Sequence, residues 1–224
     1  MVRSISFEGV LHLTRYSRLD RHFSAWLCNQ LLVAAAPAPP VFLADGAGAE
    51  VPVTARDVHE VLGVPNGERQ VGIGRDPAEE GDAAAVRRAL GLGPGEAPTL
   101  QAAEAVVARR STGPMTQSER DAFVVAFLLL VEHFFAPGSV GRRGKVNEEV
   151  FHALANPAEV HLYDWSEFVL EEFRRCAGRV RQQVTSGCSK ISPSGCLLFL
   201  QVAKPCVYFH PIPTGIGLVH MKFI

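Results

Sequence analysis

The pattern of hydrophobic and polar positions is richest in local signals between residues 41 and 67. Two short β-prone runs, Val41–Leu43 and Val51–Val53, lie on either side of a glycine-rich stretch. That arrangement predicts a β-hairpin over about residues 41–53. Pro52 has no backbone N–H to donate, so we expect the second strand to lie at an edge.

A capped helix is predicted directly after the hairpin. Thr54 and Asp57 have the spacing of a capping box, in which each side chain accepts the backbone N–H of the other residue. The helix should begin at Ala55. It should end at Gly63, because glycine readily adopts the left-handed conformation that often follows a helix.

Two long helices should provide the core. The most hydrophobic stretch begins at a second capping box, Thr116 with Glu119, and continues to about Phe135. Because it is apolar on nearly every face, we expect it to be the central core helix. Another helix, over about residues 164–184 with Asp164 and Glu167 at its start, carries an apolar stripe at 3.6-residue spacing. The stripe consists of Trp165, Phe168, Val169, Phe173, Cys176, Val180 and Val184.

Weaker patterns predict the remaining elements. Apolar residues alternate in short runs over residues 1–16, with Gly9 as an interruption, and we expect this stretch to form an extended arm. Ser17 and Asp20 form another possible capping box, which predicts a helix over residues 18–34. That helix would bury a stripe of Leu19, Phe23, Trp26, Leu27 and Leu31. Further helices are expected over residues 82–90, 100–110 and 147–155.

These elements predict a mainly α fold: a single-domain helical bundle with one small β-hairpin, packed around the helices at 116–135 and 164–184. The domain should span residues 1–201. Residues 72–98 are rich in glycine, alanine, proline and acidic residues, which favours a flexible insertion holding one short helix. In residues 202–224, prolines and glycines interrupt any helical or strand spacing of the hydrophobic residues, which predicts an irregular tail.

Composition narrows the classes of function. The chain has 224 residues, 47% of them hydrophobic, and a formal net charge of -1. This balance argues against a strongly basic nucleic-acid binder or a membrane-surface protein. The longest apolar run, Ala122–Val131, is too short to span a bilayer. We also expect no secretory signal, and the odd number of cysteines favours a reducing compartment.

A cysteine-protease function is one hypothesis, because four residues occur in the order used by SUMO-type proteases: His161, Asp164, Gln182 and Cys188. Asp164 and Gln182, however, should lie near opposite ends of one helix, separated by a rise of about 27 Å. A catalytic triad is defined by convergence on one atom rather than by order along the chain. The order is therefore attributed to coincidence.

Other chemistries find no better support in the sequence. The glycine-rich stretches lack a preceding strand and a phosphate-loop lysine, and the cysteines lack zinc-ligand spacing. Lysines occur only in predicted loops or in the tail, which does not favour a pyridoxal-phosphate enzyme. We therefore predict no catalytic residue, no cofactor-binding residue and no metal ligand.

A basic patch remains as a candidate contact for nucleic acid. Arg142, Arg143 and Lys145 lie in a predicted loop beside the arginine-bearing face of the 164–184 helix, which includes Arg175 and Arg179. Their side chains could bind phosphates. The same helix carries Glu167, Glu171 and Glu172, so the alternative is a solvated face whose charges pair with one another.

Several blocks together resemble a known family. They are Gly9–Leu13, Phe23–Leu27, the hairpin continuing into Val53–Gly67, Tyr163–Trp165 with Phe168–Leu170, and Gly195–Gln201. The resemblance is to the plant mobile domain, the "aminotransferase-like" domain of transposon-derived plant proteins. The chain is also similar to the amino-terminal domain found ahead of SUMO-type protease domains in plant transposons.

The resemblance covers about residues 5–201 and implies a mostly helical, nuclear domain with no established catalytic residues. Asp164 stands where that family often has asparagine, and either residue can cap a helix. After Gln201 the chain departs from the family pattern. A retained intron or an alternative gene model would explain that change and would make the domain truncated.

The functional expectation is a non-catalytic, transposon-derived module that binds protein or nucleic acid in the plant nucleus, or otherwise in the cytoplasm. We expect neither a membrane partner nor a small-molecule cofactor. One alternative is a fragment of a transposon-encoded SUMO-type cysteine protease protein that lacks its catalytic domain. Another is a non-functional truncated gene product.

Overall fold

A computed structural model provides the structure of the chain. It describes residues 2–15, 26–28, 30–33, 41–44, 50–72, 80–110, 113–136, 144, 146–188, 195–196 and 199. The fold of this part is mainly α-helical, as the sequence predicted. Its α-helices are α1 (Ala55–Leu62), α2 (Glu80–Leu90), α3 (Leu100–Val107), α4 (Gln117–Phe135), α5 (Phe151–Leu154) and α6 (Trp165–Thr185). None of these helices is long and apolar enough to cross a membrane.

Short 3-10 helices and strands complete the described part. The 3-10 helices are Arg3–Ile5, Glu8–Arg15, Glu148–Val150 and Pro157–Leu162. The strands are β1 (Leu31–Val33), β2 (Val41–Ala44), β3 (Glu50–Val53), β4 (Arg69–Gln70) and β5 (Tyr163–Asp164).

The predicted hairpin is confirmed as the antiparallel pair β2 and β3. Phe42 lies opposite Pro52, and Val41 lies opposite Val53. β3 is an edge strand of the three-stranded sheet β1-β2-β3, which suits the missing N–H of Pro52. The turn itself, residues 45–49, lies outside the described residues.

The helix predicted over residues 18–34 is wrong at its C-terminal end. Residues 26–28 and 30 are helical, but Leu31–Val33 form strand β1, which pairs antiparallel with β2. An apolar run this short suits either a helix or a strand, and pairing with β2 decides between them. Trp26, expected in the buried stripe, is 43% exposed, whereas Leu27 is buried. Residues 17–23, with the predicted capping box, lie outside the described part.

The extended arm predicted at the N-terminus is also wrong. Two 3-10 helices fill this stretch, and they bury Ile5 and Phe7. The Phe7 ring meets Trp165 edge to face, with 5.4 Å between ring centroids. Burial of this aromatic pair in the core favours a compact N-terminal segment over an extended one.

The caps predicted at Thr54, Thr116 and Asp164 are confirmed. Thr54 and Asp57 form a complete capping box at α1, and Thr116 and Glu119 form another at α4. The Asp164 side chain accepts the backbone N–H of Glu167 at the start of α6. Each cap satisfies backbone N–H groups that have no acceptor within the helix. The first residue of each helix can therefore be predicted from two capping residues that lie three positions apart in the sequence.

The two predicted core helices contribute to one hydrophobic core through different neighbours. Helix α4 packs chiefly against α2 and α3, whereas α6 packs against α1 and β1. The predicted stripe of α6 is buried from Trp165 to Val180, but Val184 is 39% exposed. Gly195 and Phe199 extend this packing, because the Phe199 ring lies 5.2 Å from that of Phe173.

The segment after α1 docks onto the start of α6. The N–H of Ser166 donates to the carbonyl of Pro65 at 3.0 Å, and β4 pairs in parallel with β5. Gly67 allows this approach, since a Cβ placed there would lie 2.2 Å from the carbonyl oxygen of Leu162. Two sequence blocks nearly one hundred residues apart therefore form one structural unit.

The middle of the chain differs in part from the prediction. The short helix expected at residues 82–90 is present as α2, and its Val86 and Leu90 are buried in the core. Residues 73–79 of the predicted insertion lie outside the described part. Helix α3 ends at Val107 rather than at Arg110. Arg109 and Arg110 therefore follow the helix and are exposed.

Candidate functional site

The arginines proposed from the sequence as nucleic-acid contacts fall into two groups. Arg142, Arg143 and Lys145 lie outside the described residues. Arg175 and Arg179 lie on α6, and Arg175 donates to Glu172 at 2.8 Å. Burial raises the pKa of the Glu172 carboxyl, and the charges of Arg175 and Arg179 oppose that rise. These two arginines therefore serve to neutralise a buried carboxylate.

Neighbouring charges on α6 are also paired. Arg174 donates to Glu167 at 2.6 Å and to Glu171 at 2.9 Å. Arg175 lies 3.8 Å from Glu149 and 3.9 Å from Glu171. This arrangement matches the self-paired face that the sequence left open as an alternative to phosphate binding.

The residues in SUMO-type protease order do not converge. Asp164 caps the start of α6, Gln182 lies in its last turn, and Cys188 follows its end. Because α6 is continuous from Trp165 to Thr185, about 27 Å of helical rise separates Asp164 from Gln182. The Cys188 thiol lies 3.3 Å from the hydroxyl of Ser186.

The buried cysteines include a close thiol pair. The sulfur atoms of Cys28 and Cys176 are 3.2 Å apart in the core. The hydrogen bond with Cys176, together with burial, raises the pKa of the Cys28 thiol, which is therefore protonated at neutral pH. Within the described ranges, no three histidine, cysteine or acidic side chains are arranged to hold a metal ion.

A cavity of about 600 Å³ lies between α2, the end of α3 and the first turns of α4. Its apolar lining includes Val106, Phe123 and Val125. Leu154, at the end of α5, also lines it. Three arginines line the cavity: Arg88, Arg109 and Arg110.

The ends of two helices place these arginines. Arg88 lies in the last turn of α2, which ends in a Schellman motif with Gly91 at φ +73°. In this motif Leu92 N–H donates to the Arg87 carbonyl at 2.9 Å, and Gly91 N–H to the Arg88 carbonyl at 3.1 Å. A Cβ at Gly91 would lie 3.7 Å from an Arg109 guanidinium nitrogen. The Arg109 side chain thus lies beside the end of α2, and the positive φ is what favours glycine at this position.

The cavity arginines lack the ion pairs that several other arginines of the described part form. Arg56 pairs with Glu60, Arg69 with Glu159, and Arg87 with Glu80. By contrast, neither an ion pair nor a hydrogen bond involves the side chain of Arg88, Arg109 or Arg110 among the residues described. Guanidinium groups that remain unpaired and exposed are available to a ligand.

The acidic side chains that line the cavity already accept hydrogen bonds from neighbouring residues. Glu119 accepts the backbone N–H and the hydroxyl of Thr116, at 2.7 and 2.8 Å. Asp121 accepts a hydrogen bond from the amide of Gln117 at 2.7 Å. Neither carboxylate forms an ion pair with the cavity arginines among the residues described.

The aromatic side chain in this lining is stacked on a second ring. Phe123 lines the cavity, and its ring is nearly parallel to that of Phe127, with a 5° interplanar angle and 6.1 Å between centroids. The two residues are one helical turn apart on α4. The lining of the cavity therefore includes both an aromatic ring and three guanidinium groups.

Comparison with known proteins assigns the chain to a family. A family model described as Domain of unknown function (DUF8566) matches residues 1–201. The chain belongs to this family. No curated protein and no solved structure matches the chain. The DUF8566 match includes every residue that lines the cavity, and residues 202–224 lie outside it.

Sequence reasoning missed the cavity arginines of this DUF8566 domain. The sequence pattern predicts Arg109 inside a helix, but in the structure that helix ends two residues earlier. The same pattern predicts Arg88 to lie within a flexible insertion. A signal was nevertheless present: Arg109 and Arg110 form a basic pair without an acidic residue four positions away on either side. On a helix, ion pairs form at spacings of three or four residues, so such a pair has few local partners.

Proposed function

We propose that the chain is a non-catalytic module that binds nucleic acid in the nucleus, as its resemblance to the transposon-derived plant mobile domain suggests. The binding surface is the cavity rim formed by Arg88, Arg109 and Arg110. The partner supplies phosphates to these guanidinium groups. This proposal keeps the nucleic-acid half of the expectation from sequence and moves its site away from Arg175 and Arg179.

The observation that carries the proposal is the contrast between two sets of arginines. Those on α6, such as Arg175, already meet carboxylates, so a phosphate would have to displace an existing partner. The three cavity arginines meet none within the part of the chain that the structure describes. Binding there costs no existing ion pair, and the planar guanidinium fork matches the oxygens of a phosphate.

The non-catalytic part of the proposal is supported by the arrangement of reactive groups. His161, Asp164 and Cys188 are distributed along and beyond one helix instead of meeting at a cleft. Cys28 and Cys176 are buried, and the raised pKa of Cys28 disfavours the thiolate that a nucleophile needs. The arrangement of these residues therefore favours a non-catalytic module.

Salt-dependent binding tests the proposal. The full chain is titrated against labelled single-stranded and duplex DNA and RNA over a series of KCl concentrations, with fluorescence anisotropy as the readout. We expect affinity to fall as salt rises, because bound phosphates release counterions. The double substitution Arg109→Ala with Arg110→Ala should weaken binding and reduce the slope of log K against log salt by about one per lost contact.

The matched control is Arg56→Ala. It removes one positive charge, where the double substitution removes two, from an exposed residue that pairs with Glu60 and does not line the cavity. Binding by this variant should equal that of the wild type. Absence of binding to every nucleic acid at low salt would contradict the proposal, and so would an equal loss in the Arg56→Ala variant.

A further inference from the structure

The size of the cavity limits what it can hold. Its volume of about 600 Å³ is far larger than a phosphate ion needs and too small to admit a duplex. Cavities of about 300–1,000 Å³ typically hold small organic ligands. A single nucleotide, with a base, a sugar and a phosphate, falls within this range.

The two kinds of surface in the cavity match the two ends of a nucleotide. Arg88, Arg109 and Arg110 provide the charged end, where a phosphate can accept from several guanidinium donors. Phe123 provides an aromatic ring in the same lining, and the ring of Phe127 lies nearly parallel to it. Bases stack on such rings with little dependence on sequence.

The acidic groups favour a nucleotide over an acidic peptide. Glu119 and Asp121 line the same cavity as the arginines. A peptide rich in aspartate or glutamate carries charge along its whole length, so it would bring carboxylates against these two residues. A nucleotide carries its charge at one end, and the amino groups of its base can donate hydrogen bonds to a carboxylate.

We infer that this cavity binds one nucleotide unit, with its phosphate on Arg88, Arg109 and Arg110 and its base stacked on Phe123. The inference rests on the proposed function and specifies it further. The unit has two possible sources: a free nucleoside monophosphate, or one nucleotide of a single-stranded nucleic acid entering through the open side of the cavity.

Calorimetric titration of the full chain tests the inference with chemically defined probes. These are adenosine monophosphate, adenosine, inorganic phosphate, a single-stranded oligo(dA), its duplex with oligo(dT), and a glutamate-rich peptide. The monophosphate should bind more tightly than adenosine or phosphate alone, because only it contacts both the guanidinium groups and the aromatic ring. If the source is a nucleic acid strand, oligo(dA) should bind more tightly than the monophosphate.

Three variants distinguish this site from general charge attraction. Phe123→Leu keeps an apolar side chain but removes the ring, and it should weaken binding of the monophosphate about tenfold. Arg109→Lys keeps the charge but loses the fork, and it should also weaken binding. Phe134→Leu is the control, because Phe134 is exposed and does not line the cavity. Melting temperatures within a few degrees of wild type establish that each variant is folded.

The outcomes separate the inference from the proposed function. If nucleic acids bind but Phe123→Leu and Arg109→Lys behave like the wild type, the inference is overturned and the proposed function stands. If inorganic phosphate binds as tightly as the monophosphate, the base contributes nothing and the inference is likewise overturned. If only the monophosphate binds, the inference stands with the free nucleotide as its source and the proposed function fails. If neither the monophosphate nor any nucleic acid binds, or if only the glutamate-rich peptide binds, both are overturned.

Discussion

At the scale of single residues, close approaches between backbone segments impose the strictest limits. Gly9 lies against the end of α1, and a Cβ added there would lie 2.0 Å from the carbonyl oxygen of Leu62 and 2.6 Å from the Cα of Gly63. All these contacts are with backbone atoms, which cannot swing away as a side chain can. The position therefore accepts only glycine without a shift of the N-terminal segment.

We expect Gly9→Ala to lower the free energy of unfolding by about 3 kcal/mol, because the added methyl group has no space. The matched control is Gly178→Ala on α6, where nothing lies within 4 Å of the added Cβ. That variant should gain up to about 1 kcal/mol, since alanine favours helix more than glycine does. Urea denaturation of both variants measures the difference. Equal effects at the two positions would refute the steric explanation.

The cysteines differ in accessibility and should differ in reactivity. Cys188 is exposed, whereas Cys28 is buried and its pKa is raised by the Cys176 hydrogen bond and by burial. Because the thiolate is the reactive form, we expect iodoacetamide to modify Cys188 in the native chain before Cys28, Cys176 or Cys196. Peptide mass spectrometry at successive times measures this order, and modification in denaturant is the control. Similar native rates for Cys28 and Cys188 would contradict the buried thiol pair.

At the scale of elements, the caps determine where the main helices begin. The cap of α4 is a reciprocal pair in which Thr116 and Glu119 satisfy each other's backbone N–H groups. This pair also holds the first turn of α4 beside the cavity, where Ser118 and Glu119 contribute to the lining. The stability of the cap thus supports both the core helix and the candidate site.

The capping carboxylate makes this contribution dependent on pH. Hydrogen bonds from the backbone and hydroxyl of Thr116 lower the pKa of Glu119. A carboxyl whose pKa is lower in the folded state stabilises the fold above its unfolded pKa, and this stabilisation is lost as pH falls through the folded value. Glu119→Gln should therefore be less stable than wild type near neutral pH, with a difference that shrinks in acid.

Chemical denaturation of wild type and Glu119→Gln at several pH values measures that difference. Glu104→Gln is a suitable control, because Glu104 lies on α3, its side chain caps no helix, and no ion pair involves it among the residues described. A pH-independent difference for Glu119→Gln would mean that the capping carboxylate does not carry the effect.

At the scale of the whole molecule, the core extends past the last long helix. Phe199 is 1% exposed and packs on Phe173, and Cys196 is also buried. Gly195 passes over α6, with its Cβ position 3.8 Å from Cys176. Residues that follow α6 by ten positions or more are therefore part of the packed domain.

We expect Phe199→Ala to cost about 3 kcal/mol of stability, the usual loss when a buried phenylalanine is replaced by alanine. Phe134→Ala is the matched control, because Phe134 is 41% exposed and leaves a smaller cavity when truncated. Thermal and urea unfolding of the full chain compare the two. Equal losses would show that Phe199 is not part of the core.

Features that depend only on residues within one helical turn can be predicted from the amino-acid sequence. The caps at Thr54, Thr116 and Asp164, the glycine end of α1 and the buried stripe of α6 all have this origin. In each case donor, acceptor or apolar side chains recur at spacings of three or four residues, and the helix geometry then fixes their contact. The mainly α fold follows from these local signals.

Features that require distant segments to meet depend on how the folded chain packs, so local sequence does not predict them. Leu31–Val33 became a strand because β2 offered a partner, and the N-terminal segment became compact because Phe7 packs on Trp165. The candidate site belongs to this class as well. Arg88 and Arg109 lie on different helix ends, and nothing in their local spacing encodes the distance between them. Their convergence depends on how α2, α3 and α4 pack, which is a property of the whole core.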